Sequence, residues 1–323
     1  MITTKLTKYL GINHPIIQAP MALAAGGKLA SAVDHVGGLG LIGGGYGQPN
    51  WLDDQFRAAG NNSVGCGFIT WSLAEQDYLL DQALDHDPKA IMLSFGDIAP
   101  FAGKIIARGI PLIAQVQTLA DAMAVLDHGA DIVIAQGAEG GGHGLKRATI
   151  TLVPEIADHM YRLGSKSLLC AAGGIADGRG LAAALALGAD GVLLGSRLWA
   201  AEEALVHPNM HDAALAASGD QTIRSTIMDM ARQRSWPEGF TARVISNEFT
   251  TAWHGRETEL ADKIDAIIPQ YQQAWDAGDT RLANVFVGEA TGLIHDIKPA
   301  AEIITAMVAE AEMVIRQQQG CLQ

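Results

Sequence analysis

Eight short apolar runs recur along the first 200 residues, and no other feature of the chain limits its fold as strongly. Most of them begin about 20 to 26 residues apart, the length of one strand, one helix and their connections. The runs lack strict alternation of apolar and polar positions, as parallel strands buried on both faces do. They are 15–20, 38–44, 64–69, 90–95, 111–116, 131–136, 168–174 and 190–196.

Helical patterns separate these runs. Residues 73–86 and 119–129 are two of them, and the second carries an apolar stripe that ends at a glycine. Eight consecutive βα units predict a (β/α)8 TIM barrel of the α/β class. A doubly wound open sheet is the alternative that the same pattern leaves open.

The pattern changes near residue 200. We expect residues 1–200 to form the barrel and residues 201–285, richer in charge and aromatic side chains, to form a smaller, mainly helical domain over the barrel mouth. Residues 286–323 form a C-terminal segment. From Ala301 an amphipathic pattern predicts one helix that packs back on the barrel.

Charge and cysteine usage exclude several classes of protein. A formal net charge of -13 argues against nonspecific nucleic-acid binding and against a basic membrane-binding patch. Cys66, Cys170 and Cys321 lie far apart without a CxxC pair, so neither a disulfide framework nor a zinc site is expected. The first 16 residues lack the apolar core of a signal peptide, and no apolar run reaches the roughly 18 residues of a membrane span. We therefore expect a cytoplasmic protein.

A GxGxxG pattern occurs at residues 38–43, but its position argues against a dinucleotide-binding site. The dinucleotide fingerprint needs its glycines at the turn from a strand into a helix, whereas these glycines form the predicted strand itself. We interpret them as strand glycines that let a flat ligand or a neighbouring backbone approach closely.

The sequence AQGAEGGGHG, residues 135–144, follows the sixth run and begins the longest connection in the series. The sixth and seventh runs start 37 residues apart. Loops that follow the strands of a barrel form its catalytic face, so this glycine loop should lie there. Three adjacent glycines do not favour stability, which indicates that the loop needs an open, bare backbone. His143 is its only imidazole.

Glycine turns also follow the last two runs. Gly173 and Gly174 close the seventh run before a helix near Asp177, and Gly195 and Ser196 close the eighth before another helix. Backbone N–H groups at such turns, backed by helix N-termini, form the phosphate site of many barrels of this type. Ordinary tight βα turns are the alternative.

Four of these motifs together resemble the nitronate monooxygenase family, formerly called 2-nitropropane dioxygenases. They are PIIQAPM, QGAEGGGHG, AAGGIADGRG and DGVLLGSRL, and a late VFVGEATGLI extends the resemblance over most of the chain. Members are FMN-dependent TIM barrels with a small second domain. The motifs are also similar to those of flavin NADH:quinone reductases and FMN-type enoyl-ACP reductases. The chain departs from the common loop pattern at Gly140, where alanine is usual, and at Gly144, which comes one place early.

The resemblance implies FMN as the cofactor. The two glycine turns would hold its phosphate, the backbone at the end of the first run would lie against its flat ring, and the loop glycines would fold down over it. Two glutamine amides would hydrogen-bond its heteroatoms, with plain surface glutamines as the alternative. The cofactor-binding residues are then Ala19, Pro20, Met21, Gln115, Gln136, Gly141, Gly142, Gly173, Gly174, Gly195 and Ser196.

His143 matches the catalytic position of that family. Imidazole titrates near neutrality, so it can take a proton from a carbon acid or hold a charged nitro group. The implied reaction is oxidation of alkyl nitronates by O2 to a carbonyl compound and nitrite, with no metal and with the oligomeric state left open. NADH:quinone reductase and enoyl-thioester reductase activities are the related alternatives. A non-flavin phosphate-binding barrel or an inactive flavin carrier is the unrelated one, although an aldolase would need a lysine that no predicted strand contains.

Overall fold

The eight apolar runs fold into one parallel sheet that closes on itself. The structure, a computed structural model, describes residues 2–48 and 50–320. Its strands are β1 (Ile16–Gln18), β2 (Leu41–Gly43), β3 (Gly65–Ile69), β4 (Ile91–Ser94), β5 (Leu112–Val116), β6 (Ile132–Gln136), β7 (Gly142–Gly144), β8 (Leu168–Ala172), β9 (Gly191–Leu194), β10 (Thr222–Ser225) and β11 (Thr241–Ile245).

Helices follow the barrel strands and continue beyond them. They are α1 (Lys5–Leu10), α2 (Gly27–Val36), α3 (Trp51–Ala59), α4 (Thr70–Leu73), α5 (Tyr78–Leu84), α6 (Ala99–Ala107), α7 (Leu119–Asp127), α8 (Thr149–Leu163), α9 (Gly178–Ala186), α10 (Ser196–Trp199), α11 (Pro208–Ala216), α12 (Ile227–Ala231), α13 (Glu248–Trp253), α14 (Glu257–Ala277) and α15 (Ala300–Gln319). Two 3-10 helices span Gly219–Gln221 and Glu289–Leu293.

The large sheet has the strand order β1-β9-β8-β6-β5-β4-β3-β2, and all its pairs are parallel. A parallel bridge between Ile17 and Leu39 joins its two edges. There the N–H of Leu39 donates to the carbonyl of Ile16 at 3.0 Å, and the N–H of Gln18 donates to Leu39 at 2.9 Å. The predicted (β/α)8 barrel is therefore confirmed, because a doubly wound sheet would keep two open edges.

Alternate side chains of each strand enter two different apolar layers. In β6, Ile132 and Ile134 point into the barrel interior, whereas Val133 and Ala135 join the layer between the strands and the helices. Leu6 of α1 belongs to the interior cluster, so this short helix packs against the inside of the barrel. Both layers are almost free of solvent contact, as the near-continuous apolar character of the runs predicts.

A second, three-stranded antiparallel sheet has the order β10-β11-β7, and the sequence did not indicate it. Residues 201–285 contain α11 to α14, and they contribute β10 and β11 to this sheet. Its third strand is part of the glycine loop, which we expected to be an open loop. Glycine has no β propensity and the strand is only three residues long, so a local pattern could not reveal it.

Two helices differ from their predicted bounds. The pattern over 73–86 is broken, because α4 ends at Leu73 and α5 begins at Tyr78. The C-terminal helix begins at Ala300, one residue before the expected start, and packs on α9 and α2. The division of the chain into domains at residues 200 and 285 stays a prediction.

The thiols of Cys66 and Cys170 lie in the apolar layers, and burial raises the pKa of both. They are packing residues, because a thiol is a nucleophile only as the thiolate. Cys321 lies outside the described residues. Within the described chain, no helix has both the length and the apolar character to cross a membrane.

The glycines at residues 38–43 contact protein backbone. A Cβ added at Gly40 would collide with the carbonyl of Ala30 in α2, and one at Gly43 would lie 2.7 Å from the carbonyl oxygen of Met21. These positions let β2 lie directly against a helix and a neighbouring turn. The interpretation of the pattern as close backbone packing is supported on this point.

Replacing Gly40 by alanine should therefore lower the free energy of unfolding by about 1–3 kcal/mol, because backbone atoms have to move apart. Gly103 in α6 is the matched control, since an added Cβ meets no atom within 4 Å there. Gly103→Ala should leave stability unchanged or raise it by about 0.5–1 kcal/mol. Urea unfolding measures both, and equal stability of Gly40→Ala and wild type would contradict the packing role.

Candidate active site

One cavity of about 310 Å³ lies at the carboxyl ends of the barrel strands. The glycine loop and residues from the second sheet region line its other side. All the residues predicted to bind the cofactor or to catalyse line this one cavity. They are Ala19, Pro20, Met21, Gln115, Gln136, Gly141, Gly142, His143, Gly173, Gly174, Gly195 and Ser196. The structure thus brings them together, while their roles stay predictions.

A tight turn after β1 presents its backbone to the cavity. The N–H of Ala19 donates to Leu194 at 2.9 Å, and the N–H of Met21 donates back to Ala19 at 2.8 Å. Between them, the ring of Pro20 packs on Gly67, where any Cβ would collide with it. The absence of a side chain at Gly67, in the middle of β3, therefore makes room for the proline after β1.

Three glutamine side chains at the cavity are linked by hydrogen bonds through Gln136. Gln115 and Gln117 donate from Nε2 to Oε1 of Gln136, at 3.0 and 2.8 Å. Gln136 in turn donates from Nε2 to the carbonyl of His143 at 3.1 Å. Its amide therefore ties β6 to β7, which leaves Gln115 with more hydrogen-bonding capacity towards a ligand.

The turn after β8 has the backbone shape that the phosphate prediction requires. Gly173 and Gly174 adopt φ of 98° and 75°, a region that favours glycine. In the described chain, neither of their N–H groups nor that of Gly195 donates to a protein acceptor. A Cβ at Gly195 would meet nothing within 4 Å, so open space lies beside it.

Thr149 holds this turn in place. Its hydroxyl lies 3.0 Å from the carbonyl of Gly173 and 2.9 Å from Glu139, and its N–H donates to the Glu139 carboxylate at 3.0 Å. Glu139 thereby connects the glycine loop, the start of α8 and the turn after β8. Glu139 and Thr149 thus connect the glycine loop to the turn after β8.

The helix after this turn does not support the phosphate site as predicted. The carboxylate of Asp177 caps α9 by accepting from Gly180 at 3.0 Å, and Glu310 accepts from Gly178 at 2.8 Å. Two carboxylates thus occupy the N-terminus of α9, and their charge would oppose an anion there. An anion would have to be held by the turn N–H groups themselves. At the other turn, the hydroxyl of Ser196 accepts from Gly288 at 2.8 Å and keeps its own proton to donate.

The glycine loop is fastened at its carbonyl groups. Arg224 and Arg243 both donate to the carbonyl of Ala138, at 3.1 and 3.0 Å, and Arg224 also donates to Gly144 at 2.7 Å. A Cβ at Gly141 would lie 2.5 Å from backbone of Val287. The bare backbone of the loop therefore accommodates the C-terminal segment as well as the cavity.

His143 is a buried strand residue, which corrects the expectation of an open loop. It is 8% exposed and pairs with Ala242 in the second sheet. Its Nε2 lies 2.8 Å from Oδ2 of Asp229, and its ring stacks on Trp236 with centroids 3.4 Å apart and planes 7° apart. Burial lowers the pKa of His143, and the carboxylate of Asp229 counteracts this only in part. The ring is therefore neutral at pH 7.

Sequence reasoning missed the partners of His143. Asp229 lies in the short helix α12 between Met228 and Met230, and an acidic residue between apolar ones was the only local signal. Trp236 is one of several aromatic residues of the second region, and its local sequence does not distinguish it from the others. Arg232 also lines the cavity, with its guanidinium 4.9 Å from the ring centroid of Phe286. A half-buried cationic group that lines the cavity beside apolar rings suits an anionic or conjugated ligand.

Comparison with known proteins gives a consistent picture. A family model described as nitronate monooxygenase matches residues 3–64 and 69–310. The nitronate monooxygenase npaC of Metarhizium robertsii is 32% identical, over 93% of this chain and 91% of that protein. The (3aS,4S,5R,7aS)-5-hydroxy-7a-methyl-1-oxo-octahydro-1H-indene-4-carboxyl-CoA dehydrogenase of Mycobacterium tuberculosis is 30% identical, over 96% of both. The solved structure of FabK from Thermotoga maritima superposes with a TM-score of 0.86 at 30% identity, covering 99% of both chains.

The contact between His143 and Asp229 should be visible as energetic coupling. Replacing either residue by alanine leaves a buried polar partner unpaired, so each should lower the free energy of unfolding by about 3 kcal/mol. The double variant should lose less than the sum, with a coupling of about 1.5–3 kcal/mol. His86 and Asp53 form the matched exposed pair at 2.7 Å, whose coupling should stay below about 1 kcal/mol. Additive losses for the buried pair would contradict the contact.

Proposed function

Because the chain belongs to the nitronate monooxygenase family, and is therefore an oxidoreductase, we propose that it uses FMN to oxidise alkyl nitronates with O2 to a carbonyl compound and nitrite. Overall, two nitronates and one O2 give two carbonyl compounds and two nitrite ions, so each nitronate gains one oxygen atom at carbon. The observation that carries the proposal is the convergence of a buried, neutral imidazole and several bare glycine turns on one cavity at the carboxyl ends of the barrel strands.

The residues present fit FMN. The cavity volume lies within the range of small-molecule sites. The phosphate would be held by the N–H groups of the two turns, at Gly173, Gly174, Gly195 and Ser196, together with the Ser196 hydroxyl. Backbone at Ala19, Pro20 and Met21 would lie along the flat ring, with Gln115 and Gln136 at its polar edge and Gly141 and Gly142 over it. When bound, FMN supplies the redox chemistry by accepting electrons from the substrate and passing them to O2.

His143 is the acid–base group of the cavity. Its Nε2 is engaged by Asp229, so Nδ1 is the ring nitrogen left to face the ligand. With a neutral nitroalkane, Nδ1 can accept the proton on the carbon next to the nitro group. With a nitronate, which has already lost that proton, a protonated ring would donate from Nδ1 to a nitro oxygen. The indole of Trp236 covers one face of the ring and leaves its edge for the ligand.

Two related activities are the alternatives. The similarity to a carboxyl-CoA dehydrogenase and to FabK is as extensive as the similarity to npaC, which supports testing a CoA-thioester reaction. The enoyl-thioester and NADH:quinone reductase activities rest on the resemblance of the sequence motifs. A Schiff-base aldolase is not supported, since none of the eight barrel strands, all of them described, contains lysine.

Anaerobic mixing of the purified yellow protein with single reactants distinguishes these activities. We expect propionate 3-nitronate to bleach the flavin absorbance and readmitted O2 to restore it with release of nitrite. Rapid bleaching by NADH, followed by fast quinone or crotonyl-CoA turnover without nitronate turnover, would overturn the monooxygenase proposal. A colourless protein that gains no flavin on incubation with FMN would overturn all of the flavin proposals.

Replacing Gly174 by valine should release FMN, because an added Cβ would lie 3.2 Å from the side chain of Glu139, and the resulting shift would displace the turn N–H groups. Gly164→Val is the matched control: Gly164 also has positive φ, at 61°, but an added Cβ meets no atom within 4 Å at its exposed helix end. Both variants carry similar backbone strain, so a difference in flavin content reports on the cavity. Full FMN occupancy with unchanged affinity in Gly174→Val would show that the phosphate lies elsewhere.

Replacing His143 by glutamine should lower kcat/KM by about two to four orders of magnitude, the usual contribution of a positioned acid–base group. Glutamine is chosen because its amide can still donate to Asp229, whereas alanine would leave that carboxylate unpaired. The variant should keep its flavin, since the turns after β8 and β9 are untouched. Turnover within about threefold of wild type at full flavin occupancy would remove His143 from the catalytic role.

A further inference from the structure

Asp229 is a buried carboxylate with a single side-chain partner. It is 4% exposed, its Oδ2 lies 2.8 Å from Nε2 of His143, and its Oδ1 has no hydrogen-bond donor among residues 2–48 and 50–320. A buried carboxylate without donors is strongly unfavourable. Nε2 of His143 must therefore supply the one proton that this group receives.

This requirement selects one form of the imidazole. A neutral histidine carries its proton on either ring nitrogen, and the choice is set by the hydrogen bond that one of them makes. A lone pair on Nε2 would face the carboxylate and repel it. With the proton on Nε2, the lone pair is on Nδ1, the ring nitrogen that no described residue engages.

We propose that Asp229 is a positioning residue for His143: it fixes the neutral tautomer protonated at Nε2, so that Nδ1 presents a lone pair to the cavity. Its role in turnover rests on the proposed function, whereas the tautomer itself does not. Asp229 does not line the main cavity, so it acts through the imidazole and not on the ligand.

Trp236 restricts the tilt of the His143 ring by stacking on its face. Its indole lies face to face with the imidazole at 3.4 Å, and Phe95 and Trp71 pack edge-on against the same indole, at 5.1 and 5.5 Å between centroids. A ring held on its face cannot tilt without disturbing this aromatic group. The hydrogen bond and the stack thus fix both the tautomer and the orientation.

The charged groups around His143 act in opposite directions on its pKa. Burial lowers it most, Asp229 raises it through the hydrogen bond and its charge, and Arg232 and Arg224 lower it. Asp229 is the only one of these groups that raises the pKa of His143, and asparagine at this position removes its charge. The pKa of His143 should then fall further, and a rate that requires the neutral ring should persist to lower pH.

The first test reads the tautomer without turnover. Protein labelled with 15N-histidine is studied by NMR in the FMN-bound state above pH 7, and the His143 signals are identified by their loss in His143→Gln. We expect a protonated Nε2 and an unprotonated Nδ1 in wild type. In Asp229→Asn, the amide can donate to Nε2, so the form protonated at Nδ1 should appear. A proton on Nδ1 in wild type, or an unchanged tautomer in Asp229→Asn, would overturn the proposal.

The second test reads the consequence for a neutral nitroalkane that wild type turns over, because removal of its proton is the step that needs the lone pair on Nδ1. Asp229→Asn should lower kcat by about 10- to 100-fold with a much smaller change in KM, as loss of a residue that orients a catalytic group does. Asp53→Asn is the matched control, because Asp53 makes the same contact to Nε2 of His86 at the surface. It should leave kcat and the His143 signals unchanged.

The two tests separate this inference from the proposed function. If wild type oxidises no nitronate but shows the expected tautomer, the proposed function fails and the positioning role stands. If nitroalkane turnover is found and Asp229→Asn retains wild-type kcat and pH profile with full flavin, the positioning role fails alone. If Asp229→Asn does not fold, the tautomer of His143 measured in wild type still tests the positioning role.

Discussion

Closure of the parallel sheet between β1 and β2 is the constraint on which the rest of the structure depends. The bridge from Ile17 to Leu39 joins the two edges, and parallel pairing then brings the carboxyl ends of all eight strands to one rim. Every predicted cofactor residue lies at or just beyond one of those ends or in the loop after β6. The site is thus a consequence of topology: residues far apart in the chain meet because their strands end at the same level.

The sequence predicted what depends on local patterns. The eight strands and the barrel followed from the spacing and composition of apolar runs, and the glycine turns could be placed at their ends. The pairing of β7 with β11 could not be predicted, because Gly142, His143 and Gly144 carry no strand pattern and their partners lie about 100 residues away. The same holds for Asp229, 86 residues from His143, and for Glu310, which occupies the start of α9 from 132 residues away. Contacts of that range depend on the assembled fold.

Two arginine side chains hold the glycine loop by hydrogen bonds to its carbonyl groups. Arg224 and Arg243 lie side by side and both bind the carbonyl of Ala138. Burial and the neighbouring Arg243 lower the pKa of Arg224 to about 10, so it keeps its charge at neutral pH. Glu289 forms an ion pair with Arg243 at 2.8 Å, which offsets part of the repulsion. Charge-assisted bonds to carbonyl groups fix a backbone that its glycines would otherwise leave flexible.

Two stretches of chain, the barrel and the region of the three-stranded sheet, form different parts of the site. Barrel turns present the bare backbone, while β10, β11 and the helix between them determine what surrounds His143. Substitutions in the second stretch can therefore alter proton chemistry and ligand preference without disturbing the glycine turns. This division gives divergence a physical basis: the glycine turns can be retained while changes in a short segment beyond the barrel bring new reactions.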